Sequence, residues 1–471
     1  MSLHTLLHSF RTFAIAFLFC GLAGCTLAPQ YVRPDAPIPA TYGSSDAGKE
    51  EDLAAWKIFF QDKTMQRLIR MALENNRDLR VALLNVERAR AQYRIQRANL
   101  LPAINATAGS SSELLPADFS RTGEAEVEHQ YTAGLGFSSY ELDLFGRIRS
   151  LSEQALEAFY SLEAESKAAK ITLIAETVAM YLQLVADRES HDLAVATAKN
   201  RQQELDLMMT RFRRGLASNL EVSQAETLLH EARVNVASSA TKIEQDSNAL
   251  VLLMGTPLPT DIPEVRKLAD ISPLPDVPAG LPSSLLERRP DILAAEHALK
   301  GANANIGAAR ANFFPRISLT GSLGNMSKDF DSLWDAASGT WSFLPQLSLP
   351  IFDMGRNFAQ LKVSKTEREL AVTRYEKSIQ TAFREVSDAL AQRRHIGAQL
   401  ASQKSRVASS AQSYRYASTR YKTGISHFVD VLDAQRSLFA AQYELISVHL
   451  LRETNALNLY KALGGGWNEG K

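Results

Sequence analysis

The sequence predicts a mixed α and β membrane protein: an internally duplicated chain with four β-strands and long coiled α-helices in each protomer. Three observations carry that prediction. RFRRGLASNLEVSQAE (211–226) and RYKTGISHFVDVLDAQ (420–435) write one helix–break–helix pattern twice, 209 positions apart. A pair of period-two runs precedes each copy, as in RISLTGSLG and WSFLPQLSLPIF. Around both turns apolar residues hold heptad spacing over many residues, the mark of supercoiled helix pairs.

Taken from the N-terminus, residues 1–24 read as a secretory signal peptide. A basic residue (Arg11) precedes a short apolar core and a small-residue processing site. Leu22-Ala23-Gly24-Cys25 resembles a bacterial lipoprotein box, which makes Cys25 the expected lipidation site and a covalent lipid the one added group. Two or more acyl chains anchor stably where one is marginal. Thr26 follows the Cys; that resemblance implies outer-membrane delivery, since an Asp there commonly retains the protein at the inner membrane. An ordinary signal peptide with a chance Cys is the alternative. Cys20 lies within the signal, so the mature chain would hold no disulfide. Across 471 residues, 52 Lys and Arg balance 52 Asp and Glu, so nothing points to nucleic acid as a partner.

Residues 25–61 are Pro-rich and suit an extended, lipidated tether. A first structural repeat follows over 62–254: a helix closed by Pro102, a strand pair at about 102–143 and a helical hairpin at about 146–254. A Pro-rich linker (255–289) separates it from the second repeat over 290–463. That repeat has a helix closed by Pro315, strands at about 315–352, a hairpin at about 355–463, and then a tail at 464–471. The repeats align without a gap from Asp78 and Asp291, and Phe145-Gly146-Arg147 matches Met354-Gly355-Arg356.

In the strands, Ile317, Leu319, Gly321 and Leu323 oppose Arg316, Ser318, Thr320 and Ser322. Trp341, Phe343, Leu347 and Ile351 oppose Ser342, Gln346 and Ser348. Each pair is joined by a polar loop of roughly fifteen residues, within the range of longer connections. In the helices, Ile171, Ile174, Val178, Tyr181 and Val185 keep three-four spacing. The run Val222, Ala225, Leu229, Ala232, Val236, Ser239, Ile243, Asp246, Leu250, Leu253 is mirrored from Val431 to Ala462. At 1.5 Å per residue, a helix from 146 to 211 would reach on the order of 100 Å. No segment after the signal approaches ~18 consecutive apolar residues.

Four amphipathic strands cannot close a barrel, and an open edge in lipid leaves backbone groups without partners. An apolar face with aromatic residues near the strand ends and a Ser/Gln-rich opposite face reads as lipid outside and water inside. Closure then needs an oligomer: two, three or four copies would give roughly 8, 12 or 16 strands. A soluble sandwich is the alternative, because alternation alone says only that one side is buried. If the strands span the membrane, the hairpins hang in the periplasm and the two turns are their far ends.

LAGC, GLPSSLLERRPDI, GAARANFFPRISLTG, LPIFDMGR, RYKTG, VLDAQRSLFAAQ and LYKALGGGW resemble the outer-membrane factor family, the TolC-like channels, and specifically the lipoprotein branch serving RND multidrug efflux pumps. The resemblance implies a homotrimer whose 12-stranded transmembrane β-barrel continues as a periplasmic α-helical barrel. It implies a lipid-anchored exit duct in the outer membrane, extending into the periplasm. A periplasmic adaptor would dock it to an inner-membrane pump. By position, Asp430 and Asp433 would form carboxylate rings at the narrowest point. Tyr421 would tie to Glu221, with Val429 or Phe428 as an apolar constriction. A basic latch residue of the family aligns with Ser426. Arg211, Gly215, Leu216, Ser218, Arg420, Gly424 and Ile425 would meet the adaptor. A plainer reading stands beside this: Gly215 and Gly424 as helix terminators, and Asp430 as an acid favoured at a helix start.

Enzyme-like strings fail on context. His230-Glu231 lacks the second His of a zinc-protease helix, and Ser239-Ala240-Thr241-Lys242 lies on a coiled seam. No catalytic group, metal site or further cofactor is expected. Small amphiphilic drugs are the expected cargo. Metal-ion efflux, type I protein secretion and a non-channel periplasmic coiled-coil lipoprotein are the rival readings.

Overall fold

The computed structural model describes residues 26–39, 42, 55–261, 265, 267–272, 274, 275 and 288–465. The expectations for residues 1–24, for Cys25, for about half of the linker (276–287 chiefly) and for 466–471 lie outside these. In chain order the elements are α1 (Trp56–Phe59), α2 (Lys63–Asn75), α3 (Arg77–Ala98), β1 (Asn105–Leu115), β2 (Glu126–Leu142), α4 (Arg147–Arg213) and α5 (Asn219–Met254). After the linker come α6 (Pro290–Ala311), β3 (Arg316–Ser327), β4 (Gly339–Ser348), α7 (Arg356–Lys422) and α8 (Phe428–Ala462). The duplication is exact in its longest parts: α4 and α7 have 67 residues each. The strands run further into their connecting loops than alternation suggested, and β4 ends at Ser348, before Ile351.

The chain divides into two compact units, and each repeat contributes to both. The first unit gathers Met1–Asp35, Asn85–Leu162 and Ala294–Tyr375. It holds an antiparallel sheet in the order β1-β2-β3-β4, so β1 and β4 are each paired on one side only. Register sorts the residues onto two faces. One carries the rows Ala106–Leu135–Leu323–Trp341 and Phe137–Gly321–Phe343; the other carries Asn105–Gly136–Ser322–Ser342 and Thr107–Gly134–Gly324–Thr340. A bulge between Phe137 and Tyr140, with Ser139 at φ 55, shifts the phase of β2 so that Tyr140 and Leu142 rejoin the apolar face. On the polar face the strands approach closely where glycines stand: a Cβ on Gly324 would lie 2.2 Å from the Ala133 carbonyl oxygen, and one on Gly134 2.7 Å from that of Leu323.

The expected tether is not loose along its first residues. Residues 27–33 lie as a strap on α6. Arg310 Nη1 donates to the Leu27 carbonyl (2.9 Å), Asn303 Nδ2 to that of Pro29 (2.7 Å), and the Tyr31 hydroxyl to Glu296 Oε1 (3.2 Å). Arg33 pairs with the same Glu296, and Lys300 Nζ lies 5.3 Å from the Tyr31 ring centre. Gly307 makes room, since a Cβ there would meet the Ala28 nitrogen at 2.7 Å.

The second unit gathers Ala36–Leu84, Glu163–Leu293 and Glu376–Lys471. Its hairpin seams follow the heptads: Ile171, Ile174, Val178, Tyr181 and Val185 are buried on α4, as are Val222, Ala225, Leu229, Ala232 and Leu250 on α5. One 18-residue window of α4 reaches a mean hydropathy of 1.4, but over half of it is buried within the protein. Its apolarity therefore belongs to the coiled seam.

Candidate functional site

Both turns are built by the same local chemistry. Gly215 (φ 72) and Gly424 (φ 78) adopt the left-handed conformation that ends α4 and α7. Behind them the Leu216 N–H donates to the Arg211 carbonyl (2.9 Å) and the Ile425 N–H to the Arg420 carbonyl (2.8 Å), closing matched helix ends. The next helices are capped differently. Ser218 Oγ accepts from the Glu221 N–H (3.3 Å) while Glu221 Oε2 accepts from the Ser218 N–H (2.7 Å), a reciprocal capping box. In the second turn Asp430 Oδ2 accepts from the His427 N–H (3.3 Å). Asp430 is therefore a helix-start carboxylate, as the plainer reading expected.

Between the turns, Tyr421 is buried and its hydroxyl lies 3.3 Å from Glu221 Oε1 and 3.4 Å from Met208 Sδ. The Arg211 guanidinium sits 4.8 Å from the Tyr421 ring centre, and the Phe428 ring 5.2 Å from it. The Ser218 N–H holds the Glu221 carboxyl below its ordinary 4.5, and burial pushes the Tyr421 phenol up. An apolar cluster of Leu205, Met208, Val222, Leu228, Leu229, Val431 and Leu432 surrounds these rings, so both hairpins meet here.

Phe428 belongs to that cluster, buried against Tyr421, and is not displayed as a constriction. Its neighbour Val429 is 54% exposed. Asp430 and Asp433 are exposed and one helical turn apart, hence on one face. Leu216 and Ile425 are each 65% exposed; Ser218, Arg420 and both turn glycines are exposed too, while Arg211 is half-buried. The Ser426 hydroxyl is buried without a hydrogen-bond partner.

A second polar layer was not anticipated. Glu204 accepts from the Tyr414 hydroxyl (3.0 Å) and from the Gln435 amide, with Arg201 Nη1 at 3.6 Å. Burial pushes the Glu204 carboxyl up and the Arg201 guanidinium down. The signal was legible: Tyr414, Gln435 and Glu204 each lie seven residues from Tyr421, Phe428 and Arg211, on the same seams. Arg289 was also missed. It is buried and binds Asp291 (2.7 Å), Glu385 (3.0 Å) and the Ala462 carbonyl at the end of α8.

The outer membrane efflux protein family matches residues 68–256 and 281–465, one match per repeat. The chain belongs to that family. As an outer membrane efflux protein it is an outer-membrane channel with a periplasmic extension, on the fold of the TolC-like channels. It is 48% identical over 455 residues to the antibiotic efflux pump outer membrane protein ArpC of Pseudomonas putida, covering 95% of this chain and 94% of the relative. It is likewise 48% identical over 455 residues to the toluene efflux pump outer membrane protein TtgC of that species, with the same coverage. The open-state outer membrane channel MtrE of Neisseria gonorrhoeae superposes with a TM-score of 0.84 at 40% identity, covering 94% of this chain and 99% of that one. In this outer membrane efflux protein the sheet is the membrane-spanning part, and the paired turns close the long helical hairpins.

Proposed function

We propose that three copies assemble into the exit duct of a tripartite pump, conducting small amphiphilic compounds outward, with its gate at the paired turns. The observation that carries this is a four-stranded sheet, apolar on one face and polar on the other, with both edges unpaired among the described residues. Each edge needs a strand from another copy, and three copies give roughly a 12-stranded barrel. The apolar face meets lipid and the polar face lines water. A lipid on Cys25 fixes the N-terminus at the membrane.

At the gate, Tyr421 and Glu221 tie the two hairpins of one chain, while Asp430, Asp433 and Val429 ring the axis. A periplasmic adaptor grips the exposed turn residues, Leu216 and Ile425 foremost, and hands on cargo from an inner-membrane pump of the RND type. The relatives' association with toluene and antibiotics supports amphiphilic cargo.

Crosslinking of the detergent-purified protein should end at three chains, and bilayers should record single channels. In a host lacking its own exit duct, co-expression with the matching pump and adaptor should raise resistance to solvents and amphiphilic antibiotics together. Single channels without any gain of resistance would keep the duct and remove the cargo assignment.

A further inference from the structure

Asp246 stands on an otherwise apolar stretch of the α5 seam, between Ile243 and Leu250. Its Oδ2 is buried and meets no hydrogen-bond donor. The α4 seam facing it, set in register by the His191–Ser239 contact (2.9 Å), carries Asp187, 6% exposed, whose carboxyl interacts with that of Asp246. The other side of Asp187 is occupied, because Gln183 Nε2 donates to Asp187 Oδ2 at 2.7 Å. Two ionised carboxylates offer four acceptor oxygens and no hydrogen, so the contact is satisfied only if one carries a proton.

The duplication supplies the comparison. A shift of 209 positions maps Gln183, Asp187 and Asp246 onto Gln392, Ile396 and Asn455. In the second hairpin Asn455 Nδ2 donates to Gln392 Oε1 (3.0 Å) and to the Ala389 carbonyl (3.0 Å), and Ile396 is buried. That polar step is neutral and complete. The first hairpin keeps the Gln but replaces the amide and the isoleucine with two acids.

We propose that Asp187 and Asp246 hold one proton between them, a pH-responsive step that the matching position of the second hairpin lacks. The groups facing the pair support this. Lys242, one turn away on α5, attracts the Asp246 charge less than burial and Asp187 oppose it. His191 is engaged with Ser239 Oγ at 2.9 Å. From α8, Phe439 and Tyr443 close a cavity of about 230 Å³ that Asp187 and Lys242 also line. No second cation is brought by α8 to that cavity among the described residues.

Burial and Asp187 push Asp246 up to about 6, from an ordinary 3.8. A raised folded-state value means the proton stabilises the hairpin fully below the ordinary value. That contribution is lost as pH rises from 3.8 through about 6. Above it, two charges sit in one seam beside a cavity, and α4 and α5 part more easily.

The test uses the full-length purified channel. At pH 5, infrared spectra of the wild type should carry a protonated-carboxyl C=O band larger than that of Asp246→Asn, and the difference should disappear by pH 7.5. Between those pH values the wild type should lose roughly 2–4 °C of melting temperature relative to Asp246→Asn and to the second-copy graft D187I/D246N. Hydrogen exchange should quicken over 243–250 and stay unchanged over 452–459. Infrared bands of equal size in the wild type and both variants, or melting curves that move in parallel with pH, would overturn the proposal.

Discussion

At the residue scale, one phenol ties the hairpins at the turns themselves. Tyr421→Phe leaves the ring among Arg211 and Phe428 but deletes the hydroxyl that reaches Glu221, a loss of about 1 kcal/mol. More frequent opening in bilayer recordings is the expected outcome, and unchanged open probability would remove the tie from the gate. Glu221 gives this a pH dependence with a definite sign. Because its carboxyl is held below 4.5, its contribution is present above that value and fades as pH falls through the lowered one. Acid should therefore favour opening in the wild type, and Glu221→Gln should flatten the response. The two aspartates separate by role. Asp433→Ala should lower cation preference alone, whereas Asp430→Ala should also cost a fraction of a kcal/mol to about 2 kcal/mol through the lost helix-start contact. Reversal potentials and thermal melts of the same two proteins would distinguish them.

At the element scale, the hairpins were legible because period and repetition agree. Every seam residue from Val222 to Leu253 is buried or half-buried, as heptad spacing required. Both turns were also readable, since Gly is the residue that ends a helix in the left-handed conformation. What pattern could not give was pairing across helices. Asp246 was placed on the seam, but Asp187 met it only in three dimensions, and heptad spacing sets Glu204, Tyr414 and Gln435 on their seams without pairing them. Phe428 shows the opposite error: position in the family suggested the pore, while its bulk finds a better place against Tyr421. Strand ends slipped because Ser and Glu continue β1 and β2 where composition reads as loop. Arg289 joins Asp291 to Glu385 and the end of α8. Arg289→Ala should destabilise the second unit by about 1.5–3 kcal/mol, read as a lower urea midpoint. Gly324→Val should prevent the sheet from forming, and a heat-modifiable band in gel electrophoresis should be absent.

At the scale of the whole molecule, the compact units cut across the repeats, which no linear pattern announces. Each repeat supplies two strands and one long hairpin, and neither could make a sheet with this register alone. The family assignment was readable from motifs spread over the chain, whereas the strap on α6 was not, because Pro-rich composition says only that residues lack regular structure. Glu296→Ala should release the Tyr31 hydroxyl and expose the strap to limited proteolysis while single-channel conductance holds.

The strap has a consequence for how the molecule is made. Its contacts join residues 27–33 to positions 263 to 283 further along the chain. A nascent polypeptide released before α6 has no place to seat its own beginning. This early segment is thus among the last to lock, and its docking requires that the chain has been made through α6. A protease would therefore cut this segment in chains that stop before α6 and spare it in finished ones.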